Sequence, residues 1–383
     1  MMEPLALYIH WPFCLAKCPY CDFNSHVRAA IDQPRFAAAL RAELAWEAAR
    51  LGRRRLVSVF FGGGTPGLME PATVAALIAD ATSLFDPVAG LEITLEANPT
   101  SVEAGRLAAF RQAGVNRLSL GVQALDDAAL AAHGRRHSVA AAIAALEAAR
   151  RLFPRLSFDL ITARPGQTLA AWRAELRQAL ALAGDHLSLY QLTIEPGTAF
   201  EALHRAGRLV LPDDDTAAAL YDATGEEAAR FGLLAYEVSN YATPGAESRH
   251  NLQYWRYGDY AGVGPGAHGR LSFGGTLLAT SRHRAPESWA TLVERQGHGT
   301  AEETPVAPPD RAREALLMGL RLAEGIDADS FFRRTGIALD EALDPGTLCR
   351  GLAEHYLARD GSRLRATPEG RKRLDALLAA LAR

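Results

Sequence analysis

Cysteine, lysine and long apolar runs are all scarce in this chain of 383 residues. Three of its four cysteines lie between positions 14 and 21, too crowded for all to pair, so a disulfide framework is not expected. No stretch approaches the roughly eighteen apolar residues that span a bilayer, so no membrane span is expected. The formal net charge of -3 provides no basic field that would attract nucleic acid. The first residues lack the basic and apolar segments of a secretory signal, which predicts a cytoplasmic, reducing location.

The composition otherwise supports a large folded core. With 49% hydrophobic residues, the chain can bury enough apolar surface for one large domain and a smaller one. Short apolar runs alternate with segments of helical periodicity, which implies parallel strands with right-handed crossovers, in an open sheet or a barrel. We expect the α/β class and a partial (β/α)6 barrel. Predicted strands are residues 5–10, 56–61, 91–96, 117–121, 156–161 and 186–193, and predicted helices are 34–51, 71–84, 102–113, 139–152 and 169–183.

The chain divides into three predicted segments. Residues 1–212 are expected to form the barrel, 213–300 a β-rich extension, and 301–383 a small, mostly helical, winged-helix-like domain. The run Asp213-Asp214-Asp215 is interpreted as an acidic helix cap, favoured by the helix dipole, in preference to a metal site. Proline and glutamate between positions 301 and 310 predict a linker. Helices are predicted at 311–323, 346–358 and from 368 onward.

The three clustered cysteines are the strongest chemical signal in the sequence. In Cys14-Leu-Ala-Lys-Cys18-Pro-Tyr-Cys21, spacings of three and then two residues let one loop place three thiolates around a cubane iron–sulfur cluster. The fourth iron would then remain open to a substrate or cofactor. A structural zinc site with His26 as the fourth ligand is the alternative, although no second pair of ligands follows. The distant Cys349 is expected to be a small buried hydrophobe.

Glycine-rich and polar segments follow several predicted strands. Gly62-Gly63-Gly64-Thr65-Pro66 follows the second strand, and its glycines let backbone groups approach a ligand that a Cβ would block. It is not a phosphate-binding P-loop, because no Gly-Lys-Ser/Thr ending follows, and a tight turn alone is the alternative. Glu96, Gln123 and Asp159 lie at or near later strand ends, where such folds place their sites.

Together these features resemble the radical S-adenosylmethionine (SAM) superfamily and, more closely, the HemW/HemN family. The resemblance implies a [4Fe-4S] cluster held by Cys14, Cys18 and Cys21, with the amino and carboxylate groups of SAM on the open iron. The motifs are Tyr8-Ile-His-Trp-Pro-Phe-Cys14, Cys18-Pro-Tyr20-Cys21-Asp-Phe-Asn, Phe-Gly-Gly-Gly-Thr65-Pro, Glu96-Ala-Asn-Pro, Gly-Val-Gln123, Gly-Arg135-Arg-His, Tyr-Gln-Leu-Thr-Ile-Glu-Pro and Gly-Val-Gly-Pro-Gly-Ala-His-Gly. By position, the implied SAM contacts are Tyr8, Tyr20, Gly63, Gly64, Thr65, Glu96, Gln123, Arg135 and Asp159.

Each of these side chains also has a structural interpretation. Glu96 and Asp159 suit ribose hydroxyls or the methionine ammonium, but either could pair with a neighbouring arginine. Gln123 can donate and accept hydrogen bonds at the ribose, or can cap a strand. Arg135 could hold the methionine carboxylate or belong to a solvated basic turn. Tyr20 could shield the cluster, pack on adenine or be a core aromatic.

One loop departs from the family pattern. Where the family usually has Gly-Leu-Pro-Gly-Gln after the strand that contains Asp159, this chain has Ala163-Arg164-Pro165-Gly166-Gln167. An alanine therefore replaces the first glycine, and the resemblance does not predict the conformation of this loop.

The family has two branches with different functions. Oxygen-independent coproporphyrinogen III oxidases decarboxylate porphyrinogen propionates by a 5′-deoxyadenosyl radical, whereas the other branch consists of haem chaperones. The oxidases resemble one another in a further cysteine two positions after the third ligand and in an N-terminal extension. Here Phe23 occupies that position, and thirteen residues precede Cys14. Both features lead us to expect a protein without coproporphyrinogen oxidase activity.

The segment His250-Asn251-Leu-Gln-Tyr254-Trp255 resembles the His-Asn-x-x-Tyr-Trp motif of the chaperone branch. A neutral imidazole is a good axial ligand for haem iron, and nearby Tyr and Trp rings can pack on a porphyrin, although such residues alone more often serve packing. We therefore expect a chaperone that binds haem through His250 and transfers it to acceptor proteins, with the radical SAM oxidase as the alternative. The expected partners are haem and its acceptor proteins. A second copy of the chain, in a homodimer, is a further candidate partner.

Overall fold

A computed structural model describes residues 4–100, 103 and 105–382 of the chain. The strands in these residues are β1 (Leu5–Trp11), β2 (Phe13–Cys14), β3 (His26–Val27), β4 (Arg55–Gly63), β5 (Asp86–Ala97), β6 (Arg117–Gln123), β7 (Arg155–Thr162), β8 (His186–Gln191), β9 (Leu234–Ala235), β10 (Asn240–Ala242), β11 (Asp259–Val263), β12 (His268–Phe273), β13 (Thr276–Arg282), β14 (Thr300–Pro305), β15 (Ile326–Asp327), β16 (Leu357–Asp360) and β17 (Arg363–Ala366).

The helices lie between and after these strands. They are α1 (Gln33–Leu51), α2 (Pro71–Leu84), α3 (Leu107–Gln112), α4 (Asp127–Ala132), α5 (Val139–Leu152), α6 (Leu169–Leu182), α7 (Ala199–Arg205), α8 (Asp214–Arg230), α9 (Arg249–Trp255), α10 (Pro286–Gln296), α11 (Pro308–Gly319), α12 (Ala328–Thr335), α13 (Leu339–Ala342), α14 (Pro345–Ala353), α15 (Pro368–Arg371) and α16 (Leu374–Leu381). The predicted helix 102–113 is described from Leu107 onward, and Val102 lies outside the described residues.

Six parallel strands form the centre of a twelve-stranded sheet. Their order is β1-β4-β5-β6-β7-β8, and every neighbouring pair among them is parallel. Helices connect consecutive strands, as parallel pairing requires. The outer neighbours of this set are β11 beside β1 and β10 beside β8, so β1 and β8 do not close on each other. The predicted partial (β/α)6 barrel is confirmed, and each predicted strand lies at its expected position with ends shifted by a few residues.

The two faces of the barrel strands differ in chemistry because side chains alternate along a strand. One face is apolar and packs against the helices in the main core, as Leu7, Ile9 and Phe61 illustrate. The other face lines the inside of the barrel, and several of its buried residues are small and polar. These include Ser58, Thr94, Ser119, Ser157 and Ser188. An interior of this kind leaves polar groups available to a ligand.

The extension enlarges the sheet at both edges. On one side β11 pairs with β1, and β12, β13 and β14 follow in antiparallel order; on the other side β10 and β9 follow β8. The linker predicted at 301–310 is wrong, because Thr300–Pro305 is the edge strand β14 and α11 begins at Pro308. Proline is tolerated there because an edge strand has one side without ladder hydrogen bonds. The predicted acidic cap is confirmed, since the Asp213 carboxylate accepts from Thr216 N at 2.8 Å.

The C-terminal part contains a second apolar cluster. Leu316, Leu320 and Phe331 pack there with Leu343 and Leu357 around a three-stranded sheet in the order β15-β17-β16. This region is mostly helical, as predicted, and the exact boundaries of the three segments remain predictions.

Two local expectations for the C-terminal part were wrong. The helix predicted at 346–358 ends at Ala353, and the chain enters β16 at Leu357 after a left-handed His355 with φ of 59°. Cys349 is exposed, because α14 turns Leu348 and Leu352 toward the apolar cluster and leaves the thiol on the other side.

Candidate functional site

The cysteine loop and the glycine turn are fastened to each other by backbone hydrogen bonds. The loop follows β1 and the turn follows β4, which are parallel neighbours, so both lie at the same edge of the sheet. Gly64 N donates to Trp11 O at 2.7 Å, and Thr65 N donates to Phe13 O at 2.9 Å. These bonds fix the turn directly beside Cys14, the first residue of the predicted cluster loop.

Two glycines permit this close approach. Gly63 has a φ of 110°, and a Cβ on it would lie 2.5 Å from the imidazole of His10. A Cβ on Gly64 would lie 2.8 Å from the backbone of Pro12 and Phe13. Both glycines are therefore required by the packing of the two segments, beyond any contact with a ligand.

All three clustered cysteines are half-buried free thiols that line one cavity of about 160 Å³. Thr65 Oγ1 donates to Cys14 Sγ at 3.3 Å, and Arg135 donates to Cys18 Sγ at 3.4 Å. Burial raises the pKa of Cys14 and of Cys21 in the absence of metal. Metal binding would displace these protons, because the thiolate is the ligand.

The donor set at this cavity fits an iron–sulfur cluster. Within the ranges that the structure describes, no three His, Cys, Asp or Glu side chains converge closely enough to hold a single metal ion. Three thiolates of a cubane bind three different irons and do not need to converge in that way. His26, the alternative zinc ligand, is bonded to Asn24 Oδ1 at 3.2 Å and is not part of the cavity lining.

The same cavity brings together eight of the nine residues implied to contact SAM. They are Tyr20, Gly63, Gly64, Thr65, Glu96, Gln123, Arg135 and Asp159. Tyr8 is the exception, because it lies deeper in the barrel, where its hydroxyl bonds to His10 Nδ1 at 3.0 Å. Tyr20 lies between the ligands and packs edge-on against His133, with ring centroids 5.5 Å apart.

Two carboxyl groups inside the barrel have raised pKa values. Burial, and then the charge of Asp159, raise the pKa of Glu96 to about 8, against the backbone N–H of Gly63 and the charge of Arg117. Burial raises the pKa of Asp159 to about 6, although Ser188 and Arg117 favour its ionised form. Arg117 acts on both carboxyl groups through its charge, but no salt bridge joins an arginine to either of them in the described residues, so the simple ion-pair interpretation does not hold there. A cationic group bound beside Glu96 or Asp159 would favour the ionised form of that carboxyl group.

Arg135 is a positioned side chain and not part of a solvated turn. Its Nη2 donates to Gly121 O at 2.6 Å and to Asn98 Oδ1, while its Nε is buried without a partner in the described structure. Asn98 also donates from Nδ2 to Thr65 Oγ1 at 3.2 Å. It thus links the glycine turn to the arginine, a role that the sequence analysis missed although Asn98 lies in the Glu96-Ala-Asn-Pro motif.

Two residues near the site adopt left-handed backbone conformations without being glycine. Gln123, at the end of β6, has a φ of 74°, and Ala163, just after β7, has a φ of 56°. Such conformations cost a non-glycine residue roughly 1–2 kcal/mol. Ala163 therefore adopts the left-handed conformation for which glycine is suited, although it carries a Cβ. Arg164 is held by Glu175 in an ion pair.

His250 lies away from this cavity, on α9, and faces the barrel interior. Its ring stacks on Phe60 with centroids 4.7 Å apart, and its Nδ1 is 2.9 Å from Ser58 Oγ. Its Nε2 is buried and has no hydrogen-bond partner in the described structure. Burial, and then the charge of Arg117, lower the pKa of His250 to about 3. The imidazole is consequently neutral at pH 7, the form that can ligate a metal.

Comparisons with known proteins agree with this geometry. Residues 8–179 match the Radical SAM superfamily, and residues 306–372 match the HemN C-terminal domain. The heme chaperone HemW of Escherichia coli (strain K12) is 36% identical over 380 residues, which cover 98% of this chain and 98% of that protein. This chain belongs to the HemW family. Its membership confirms the family resemblance expressed by the cysteine, glycine and strand-end motifs.

Other relatives are similar along nearly the whole chain. The mitochondrial radical S-adenosyl methionine domain-containing protein 1 of Bos taurus is 42% identical over 387 residues, covering 98% of this chain and 87% of that protein. Among solved structures, E. coli coproporphyrinogen III oxidase (HemN), described as a radical SAM enzyme, superposes with a TM-score of 0.82 at 22% identity, covering 99% of this chain and 90% of that one. This second similarity establishes the shared fold.

Proposed function

We propose that this chain is a haem chaperone that binds haem and transfers it to acceptor proteins. The observation that carries the proposal is His250, a neutral, buried imidazole whose Nε2 has no partner in the described structure, in the motif expected of the chaperone branch. A buried polar atom without a partner costs about 1–3 kcal/mol, which a ligand bound to that atom would recover. The relatives named as heme chaperones support the same function.

The second part of the proposal concerns the cavity at the strand ends. Cys14, Cys18 and Cys21 would hold a [4Fe-4S] cluster, which together with SAM would supply redox chemistry when bound. The protein's own residues would orient SAM. Glu96 and Asp159 would bind its ammonium and ribose groups, while Arg135 would face its carboxylate. Tyr20, Gly63, Gly64, Thr65 and Gln123 complete the proposed SAM contacts at this cavity, whereas Tyr8 lies deeper in the barrel, outside the lining.

Ligation by His250 requires access to its ring. The hydrogen bond to Ser58 engages Nδ1 and leaves Nε2 as the ligating atom. His250 is only 3% exposed, so α9 must shift before haem iron reaches Nε2. The helix has seven residues, about two turns, and its displacement must break the bonds from His250 N to Glu92 Oε1, at 3.1 Å, and from Gln253 Nε2 to Pro4 O, at 2.9 Å.

The test is an anaerobic haem titration of purified protein, followed by absorbance. Wild type is expected to bind haem, and His250→Ala is expected to weaken binding at least tenfold and to alter the Soret band. His355→Ala, at an exposed site in the C-terminal part, is the control and should leave both unchanged. Absence of haem binding to wild type, or identical binding by His250→Ala, would sink the proposal.

The rival function has its own decisive assay. The Glu96 and Asp159 cavity would serve a radical SAM oxidase of porphyrin biosynthesis equally well. If the reconstituted protein decarboxylated coproporphyrinogen III with consumption of SAM, the oxidase would replace the chaperone as the assigned function. We expect no product.

Location and assembly remain part of the proposal. We propose a cytoplasmic location for this chain. Some of its relatives, in contrast, are named as mitochondrial proteins. In the described residues, no helix combines the length and apolar character needed to cross a bilayer. The proposed partners are haem and its acceptor proteins, and self-association into a homodimer is testable by sedimentation.

A further inference from the structure

A second, larger cavity lies at the opposite end of the barrel from the cysteine loop. Its volume is about 630 Å³, within the range of roughly 300–1,000 Å³ typical of small-molecule sites. Pro4, which precedes β1, and Arg55, which begins β4, form one wall, so the cavity lies at the N-terminal ends of the barrel strands. The other walls include residues of α9, α11 and α12.

The cavity is rich in arginines that lack a carboxylate partner. Six arginines line it, against two acidic residues, Glu324 and Asp327. Glu324 pairs with Arg256 at 2.7 Å, and Asp327 caps α12 by accepting from Ser330 N at 2.9 Å. The remaining lining arginines without a salt bridge to a described carboxylate are Arg55, Arg249, Arg333 and Arg363. Arg249 Nη1 donates to Gly90 O at 2.6 Å and Arg333 Nη2 to Ser330 Oγ at 2.7 Å, so each guanidinium has a neutral partner and an uncompensated positive charge. Such a cluster is suited to bind an anion with more than one charge, since guanidinium groups bind carboxylates through several N–H donors.

Apolar and aromatic side chains complete the lining. Trp255, at the end of α9, and Phe331, on α12, both border the cavity, together with Leu252 and Ile326. Trp255 is half-buried, so part of its ring is accessible. A ligand that combines apolar surface with anionic groups would match this lining.

The two faces of α9 connect this cavity to His250. His250 and Tyr254 are four residues apart and point into the barrel, where the His250 ring stacks on Phe60. Arg249 and Trp255 belong to the opposite side and line the cavity. A ligand in the cavity therefore contacts the same short helix that must move to expose the imidazole.

We infer that this arginine-lined cavity is the docking site of haem, with its two carboxylates bound by Arg249 and Arg333 and its ring against Trp255. The inference rests on the proposed haem-binding function and assigns it a location. Docking of the carboxylates and ligation by His250 are then separate contributions, one to affinity and the other to the coordination of the iron.

The experiment compares haem with its dimethyl ester, in which both carboxylates are converted into uncharged methyl esters. Wild type is expected to bind haem at least tenfold more tightly than the ester, measured by anaerobic absorbance titration. Arg249→Gln combined with Arg333→Gln is expected to weaken haem binding at least tenfold and to abolish the preference over the ester. Its saturated Soret spectrum should match wild type, since His250 is retained. Both arginines are exposed, so the double variant should keep its fold, checked by thermal unfolding.

The matched control is Arg151→Gln combined with Arg295→Gln. Both arginines are exposed helix residues outside the cavity, and the change in net charge is the same. This control should bind haem like wild type. If the cavity variant also binds haem like wild type, or the control loses as much affinity, the docking site is overturned while haem binding stands. If wild type itself binds no haem, the proposed function fails and this inference fails with it.

Discussion

The two ends of the barrel differ in how the chain builds them. At the C-terminal strand ends, turns that directly follow neighbouring parallel strands enclose a small cavity with thiols and carboxyl groups. At the N-terminal ends, a larger cavity with many arginines is assembled from segments that range from Pro4 to Arg363. The first kind of site follows from local motifs because parallel strands end at one edge. The second depends on contacts between distant segments, for which the sequence contains no local signal.

The largest expected effect concerns the cysteine end. Cys14→Ala removes one of three proposed cluster ligands, so iron and acid-labile sulfide in reconstituted protein should fall to near background. Elemental and sulfide analysis measures this. Cys349→Ala is the control, because that thiol is exposed and distant, and it should keep full iron and sulfide. Equal loss in both variants, or full retention in Cys14→Ala, would contradict the assignment.

The next effect concerns the opposite end, where Asp259 joins the barrel to α12. Asp259 is fully buried between Arg54 and Arg334, each 2.8 Å away. Removing it in Asp259→Ala leaves buried cations without their carboxylate, and should cost about 3–5 kcal/mol of stability. Urea unfolding followed by circular dichroism provides the measurement. Asp375→Ala, which breaks the exposed pair with Arg321, should cost under about 1 kcal/mol; similar costs for both would disprove this account.

Burial opposes the ionisation of Asp259, but Arg334 and Arg54 hold its pKa below the ordinary value. Its contribution to stability is therefore present above the unfolded pKa near 3.8 and is lost as pH falls through the lower folded pKa. The destabilisation by Asp259→Ala should accordingly shrink in strongly acidic solution.

A third effect concerns the carboxyl group of Glu96, at the cysteine end of the barrel. The pKa of Glu96 is raised from 4.5 to about 8, so ionisation is unfavourable without a ligand, and the stability of the ligand-free protein falls as pH rises between those values. A cationic ligand such as SAM favours the ionised form. Affinity for SAM should thus increase between pH 6 and pH 8, by up to about tenfold per pH unit. In Glu96→Gln this increase should largely disappear in equilibrium dialysis, and an unchanged pH dependence would show that another group titrates.

The sequence predicts one end of the barrel better than the other for a physical reason. Strand positions, the glycine turn and the strand-end residues depend on local periodicity and turn chemistry, and the structure has them where expected. Strand β14 was mistaken for a linker because its proline and glutamate content is typical of loops. Its pairing with β13 provides the missing hydrogen bonds, which no local pattern indicates.

Individual side chains at the site show the same limit. Asn98 lies two positions after Glu96, yet its bridge between Thr65 and Arg135 depends on the segments that follow β4 and α4. The location of His250 inside the barrel also could not be predicted, because α9 reaches Ser58 across 192 positions of sequence.

The smallest expected effect concerns the loop after β7. Ala163 has a φ of 56°, so Ala163→Gly relieves an unfavourable backbone conformation in the folded state. The added glycine also increases the entropy of the unfolded chain, which offsets part of this gain. The free energy of unfolding should rise by about 0.5–1 kcal/mol. Thermal unfolding should show a small rise in Tm. The matched control Ala170→Gly, at an exposed position of α6, should instead lower stability by about 1 kcal/mol. A loss in both variants would argue against the left-handed turn.

The central claim is that one barrel keeps a cluster site at one end and a haem site at the other. The most direct test is an anaerobic haem titration of wild type, Cys14→Ala and His250→Ala, with iron and sulfide measured in each preparation. We predict that Cys14→Ala loses the cluster but keeps haem affinity within about threefold, whereas His250→Ala keeps the cluster and loses haem affinity at least tenfold. Haem binding that disappears with the cluster, or that persists unchanged in His250→Ala, would contradict the claim.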